Sequence, residues 1–185
     1  EKAFPDDKDP ITYDHVAEAV GAFERQLVTP APWDAFLKGD KNALTNDQKR
    51  GLLAFMDAGC TTCHNGTLVG GATYQKVGAV KPWPNQKDLG REEVTDNPAD
   101  RMMFKVPSLR NVEKTAPYFH DASAATLGEA VKKMAEHQLA KKLPEQDIKS
   151  MVAWLNSLTG EIPTQYTTPP KLPASTDRTP KPDPN

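Results

Sequence analysis

Two thiols and an imidazole fall within five consecutive residues, Cys60-Thr-Thr-Cys63-His64. Each thiol can add across a vinyl group of a porphyrin to leave a thioether, and the next side chain is then directed at the iron. This is the spacing of covalent haem c attachment, with Cys60 and Cys63 as tethers and His64 as proximal ligand. Two other chemistries use the same residue types. A thioredoxin-like dithiol needs a strand-to-helix context, and none is legible around Cys60. A structural zinc site needs four ligands, and this cluster supplies three without a second Cys-x-x-Cys pair. The chain has only 2 cysteines, both spent here, and the expectation is one covalent haem c.

An iron held by His64 takes Met, His, water or nothing on its far side. Met raises the reduction potential and favours electron transfer, whereas an open face favours oxygen or peroxide chemistry. Met56 lies one helical turn before the tethers, too close in sequence to reach the opposite face. Met151 falls in an apolar helical stripe and reads as core. Met102, Met103 and Met134 remain, and spacing alone does not choose between the loop pair and Met134. Among the other histidines, His15 reads as solvated beside a charged helix start, and His137 as a surface residue. His120, between aromatics and Asp121, reads either as held by a hydrogen bond or as simple loop packing.

The elements that must position these residues are helices. Val16, Val20, Phe23 and Leu27 recur at helical spacing, with Thr12 or Asp14 as the cap. Thr45-Asn-Asp-Gln48 is a capping box that opens a helix through Leu52, Leu53 and Met56 into the cysteines. Thr126-Leu-Gly-Glu129 is a second box, ahead of Leu127, Val131 and Met134. A fourth helix follows Pro144, with Ile148, Met151, Val152, Leu155 and Leu158 as its buried stripe and Gly160 as its stop. No alternating strand pattern is visible, so the fold class expected is all-α. Residues 66–123 form a loop too long for an ordinary connection, and such loops are usually functional.

Prolines number 17, about twice the usual frequency. Those after Gly160 predict an extended, proline-rich tail over 164–185, leaving 1–163 as the haem domain. A formal net charge of -2, with no basic run, argues against a nucleic-acid partner. No apolar stretch is long enough to span a bilayer. The chain starts at Glu1 without an initiator Met. Since c-type haem is attached on the oxidising side of a membrane, that start reads as a mature or excised chain.

Several ordered motifs then go beyond the haem signature. Gly59-Cys-Thr-Thr-Cys-His-Asn-Gly66, Phe104-Lys-Val-Pro-Ser-Leu-Arg-Asn111 and Thr115-Ala-Pro-Tyr-Phe-His-Asp121 resemble bacterial di-haem cytochrome c peroxidases. So do Thr126 to Met134, Trp154-Leu-Asn-Ser-Leu-Thr-Gly160, and the early helix with Gly21-Ala-Phe-Glu-Arg25. The resemblance covers nearly the whole chain except about the last two dozen residues.

It implies a cytochrome c-like fold and the electron-transferring, C-terminal domain of a two-haem periplasmic enzyme. That enzyme reduces hydrogen peroxide to water with electrons from a small cytochrome c or cupredoxin, and works as a homodimer. The resemblance assigns His64 and Met134 as axial ligands. It also implies a calcium ion between the two domains, with backbone oxygens of Thr115 and Pro117 among its ligands. Lys105 and Arg110 are candidates to neutralise haem propionates. The peroxidatic domain, with its own haem and catalytic acid, has no counterpart here, so no catalytic residue is assigned. A stand-alone mono-haem electron carrier is the alternative. A related di-haem oxidase that modifies tryptophan in a partner ranks lower, because that branch has Tyr where this chain has Met134.

Overall fold

Thr12 is extended ahead of Tyr13, and its hydroxyl accepts the His15 amide, which starts α1 (Tyr13–Glu24). The computed structural model describes residues 3–172 and 174–181. Along it follow α2 (Pro32–Leu37), α3 (Asn46–Ala58), β1 (Tyr74–Lys76), α4 (Glu92–Thr95), β2 (Met103–Lys105), α5 (Leu127–Leu139), α6 (Glu145–Asn156) and α7 (Thr164–Thr167). Both expected capping boxes form, at Thr45/Gln48 before α3 and at Thr126/Glu129 before α5. The fold is mainly helical and cytochrome c-like. A small departure is the antiparallel pair of β1 and β2, with Tyr74 opposite Lys105. Three-residue strands are too short to leave an alternating pattern in the sequence.

Two compact units are present: Thr29–Glu161, and Glu1–Val28 grouped with Ile162–Asn185. The sequence reading placed residues 1–28 in the haem domain; in the structure they group with the tail. Within that smaller unit no residue of α1 is buried, and Val16, Val20 and Phe23 are exposed. The tail is not wholly extended, since α7 makes one turn there.

Helices α3 and α6 form the heart of the larger unit. Phe55 and Ala58 of α3 are buried with Met151, Trp154 and Leu155 of α6, while Leu53 and Met56 are exposed. The inner stripe of α3 is therefore Gly51, Phe55 and Ala58. The reason is close approach: a Cβ on Gly51 would sit 1.8 Å from the backbone oxygen of Ser150. At the end of α6, the helix stops at Asn156 rather than running to Gly160. Gly160 instead lies against Thr29, where a Cβ would meet the carbonyl oxygen at 2.2 Å.

The long loop is ordered by a bidentate ion pair. The two guanidinium nitrogens of Arg110 donate to Asp34 of α2 at 2.6 and 2.8 Å, and Arg110 also donates to the Thr67 carbonyl at 3.1 and 2.9 Å. Arg110 is thus committed to the protein rather than waiting for a propionate. The hydrogen bonds from Arg110 hold the Asp34 carboxyl below its usual range, against a smaller opposing effect of burial.

Two outcomes follow. Gly51→Ala gains about 1 kcal/mol of helix propensity but forces backbone apart at a cost of about 1–3 kcal/mol or more. Thermal unfolding of the haem-loaded chain should therefore shift down; an unchanged or raised midpoint would show that α3 and α6 can separate freely. Because the Asp34 pKa is depressed on folding, its contribution is present above the unfolded carboxylate pKa and is lost as pH falls through the folded value. Asp34→Asn should therefore lower stability at neutral pH and flatten its decline in acid, read by denaturant unfolding at several pH values.

Candidate haem site

Gly59 ends α3 in the left-handed region, φ 95°, and its N–H closes back onto Phe55 and Met56. That reversal throws Cys60 into a short 3-10 turn, Cys60–Thr62. The amides of Cys63 and His64 both return to the Cys60 carbonyl, at 3.3 and 3.0 Å. Both thiols are free and half-buried. Burial pushes the Cys60 thiol up to about 11. A redox dithiol works through a thiolate stabilised at neutral pH, so this environment opposes thioredoxin-like chemistry. Among the described residues, no three His, Cys, Asp or Glu side chains are grouped so as to hold a metal ion.

His64 is packed from behind by Phe55, ring centroids 6.2 Å apart, and Phe55 in turn meets Trp154 at 4.7 Å. Its Nδ1 is buried and completes no hydrogen bond. The carbonyls of Val69 and Pro107 lie on that side and favour the protonated ring, but burial outweighs them and lowers the pKa. A neutral imidazole with its rear edge facing carbonyls is the form that ligates iron through Nε2. Gly70 makes this cradle possible: with φ at 126°, a Cβ there would fall 2.2 Å from the Pro107 oxygen and 3.3 Å from Nδ1. The residues present therefore fit a covalently tethered haem.

The loop segments behind the ring are tied to each other. Ser108 Oγ donates to the Leu68 carbonyl at 2.9 Å, and the Leu109 amide reaches Leu68 and Val69 at 3.2 and 3.3 Å. Asn111, left-handed at φ 58°, donates to Thr29 Oγ1 at 2.9 Å and accepts the Gly160 amide at 3.1 Å. The motif Phe104–Asn111 thus acts as the rear wall of His64. Its Pro107 and the partners Gly70 and Asp34 were not singled out by sequence reasoning. The adjacent Gly70-Gly71 inside a long loop was the available signal.

The methionines separate by structural use. Met102 is buried with φ 62°, its amide donating to Leu89 and its carbonyl accepting from Val77. Met103 belongs to β2, and its carbonyl accepts from Arg91 at 2.9 Å. Met134 is half-buried in α5. Two histidine expectations change. His137 is buried, not on the surface. His15 is half-buried, stacked 3.9 Å from Phe4 and 3.2 Å from Asp7, rather than solvated. His120 stacks on Phe104 at 4.1 Å, while Asp121 instead accepts from Trp83 Nε1 at 2.9 Å. Lys105 is exposed in β2. Thr115 and Pro117 are exposed on either side of a cis Ala116–Pro117 bond.

Gly70→Ala should displace the Pro107 carbonyl and lower the yield of covalently haem-loaded protein, scored by haem staining against total chain. Loading equal to wild type would show that the cradle is not needed.

A family model described as di-haem cytochrome c peroxidase matches residues 1–42, and a cytochrome c model matches residues 48–159. The chain is 46% identical over 178 residues to a cytochrome c551 peroxidase of Nitrosomonas europaea, covering 95% of this chain and 53% of that protein. It is 46% identical over 188 residues to a cytochrome c551 peroxidase of Pseudomonas aeruginosa, covering 98% and 53%. A crystal structure of a MauG-like protein associated with microbial copper homeostasis superposes with a TM-score of 0.68 at 26% identity, over 86% of this chain and 57% of that one. The chain thus spans about half the length of the curated relatives it matches. With its Cys-x-x-Cys-His segment, its cradled His64 and a cytochrome c model over residues 48–159, the chain belongs to the cytochrome c family.

Proposed function

We propose that this chain is the electron-transferring haem domain of a periplasmic cytochrome c peroxidase, carrying one haem c. The observation that carries the reading is the His64 cradle directly after the two tethering thiols. When bound, the haem supplies reversible one-electron chemistry at a potential tuned by its axial ligands. Cys60 and Cys63 hold it covalently, and His64 ligates the iron. Met134 is the sixth ligand in this reading, as the resemblance to di-haem cytochrome c peroxidases implies. A thioether there raises the potential and closes the iron face to peroxide, so this chain stores and passes electrons.

In the whole enzyme, electrons come from a small cytochrome c or cupredoxin and pass to a second, peroxidatic haem domain, where hydrogen peroxide becomes two waters. That domain would complete the calcium site begun by the Thr115 and Pro117 carbonyls, and the full enzyme would be a homodimer. The relatives named cytochrome c551 peroxidase support the activity.

The chain alone should exchange electrons rapidly with a reduced small cytochrome c yet show no peroxide-dependent turnover. Fast turnover would mean an accessible iron face and would overturn the relay reading. Met134→Ala should lower the reduction potential; an unchanged potential with a persistently low-spin reduced spectrum would remove Met134 as ligand.

A further inference from the structure

The face of α5 that carries Met134 is gripped one turn further on by the segment from Lys76 to Trp83. Gln138 accepts the amides of Gly78 and Ala79 at 2.6 and 3.0 Å on one oxygen. Its amide nitrogen donates to the Lys76 carbonyl at 3.0 Å. Beside it, buried His137 places Nδ1 3.0 Å from the Lys81 carbonyl and 3.1 Å from that of Pro82. Both partners are acceptors only, so Nδ1 carries the hydrogen. The His137 carbonyl in turn accepts the amides of Val80 and Lys81, both at 3.1 Å. Lys81 also pairs with Glu136.

The segment is itself fixed at both ends. Lys76 closes β1 against Met103 of β2. Trp83 is 2% exposed, donates to Asp121 at 2.9 Å and packs edge-on to His137 at 5.0 Å. At Gly78, φ 72°, the turn closes so tightly that a Cβ would lie 2.5 Å from the Trp83 nitrogen. It is therefore a strap with a defined shape.

Residues 137 and 138 are i+3 and i+4 from Met134, so their side chains bracket its direction on the helix surface. A helix end without tertiary partners frays and rotates; this one is held by side-chain hydrogen bonds on both sides of that direction. We infer that the strap Lys76–Trp83 sets the position of Met134 toward the haem iron, with His137 and Gln138 as its positioning residues. The inference rests on the reading of Met134 as sixth ligand. Neither residue touches the reacting centre; both act through α5.

The test compares haem-loaded wild type with Met134→Ala, Gln138→Ala, Gln138→Glu and His137→Phe. Gln138→Glu keeps the acceptor for both strap amides. His137→Phe keeps a ring against Trp83 and removes only the donor. Three readouts are taken: amide exchange at Gly78 and Ala79, midpoint potential, and the absorption signature of thioether ligation. In Gln138→Ala the two amides should exchange roughly tenfold faster, the potential should fall and the thioether signature should weaken below the unfolding temperature. Gln138→Glu should recover most of all three.

If Gln138→Ala does not fold, His137→Phe should give the same loss of potential and signature. Faster exchange with potential and signature unchanged, while Met134→Ala changes both, would overturn the strap's role and leave the ligand reading standing. No change in Met134→Ala would overturn the ligand reading and this inference with it.

Discussion

A covalent tether through two thiols fixes where a porphyrin sits but leaves the following imidazole free to turn about its own side-chain bonds. Its aim is set by whatever packs against its rear edge. Here that is the carbonyl side of Val69 and Pro107, and a set of contacts from Thr67 to Asn111 brings those two backbones together. Gly70 has no side chain where Pro107 approaches. Ser108 and Leu109 bind back to Leu68 and Val69. Arg110 clamps Thr67 and Asp34 at once. Asn111 closes the motif onto Thr29 and Gly160.

This construction carries a local cost. Val69 is β-branched and left-handed, φ 52°, a conformation that costs on the order of 1–3 kcal/mol. It persists because the residue is buried and its carbonyl is held by Leu109. The Arg110–Asp34 pair works in the opposite direction. Both side chains are mostly shielded, 15% and 27% exposed, and a bidentate guanidinium–carboxylate contact in that setting is stronger than a surface pair. Strain next to the ligand is thus offset by a rigid clamp a few residues away.

The parts of this arrangement legible in the sequence were those with strong local rules. Capping boxes at Thr45 and Thr126 are short-range signals, and they located the starts of α3 and α5. What stayed hidden depends on pairs distant in sequence. No periodicity predicts that Arg110 finds Asp34, or that Gln138 finds Gly78, because each contact exists only once the long loop has folded. The inner face of α3 is hidden for the same reason: Gly51 lies inside because the backbone at Ser150 approaches it, a contact no local pattern announces. His137 misled for a related reason, since a polar residue in a polar stretch is buried only when carbonyls from elsewhere satisfy it.

The two ends of α5 show how local and distant signals combine. At its start, Glu129 accepts the amides of Ala125 and Thr126 at 2.9 and 3.1 Å, and Thr126 accepts that of Glu129 at 3.2 Å. This reciprocal cap fixes the rotational phase of the first turn. At its other end His137 and Gln138 fix the last turn against the strap. A 13-residue helix held in phase at both termini cannot rotate one end without breaking hydrogen bonds at the other. Met134 lies between these fixed turns and is itself only half-buried, so its direction is imposed by neighbours three residues or more away along the helix as much as by its own packing. A flexible thioether placed on such a helix keeps the adaptability of methionine in its side chain while the backbone beneath it stays in place.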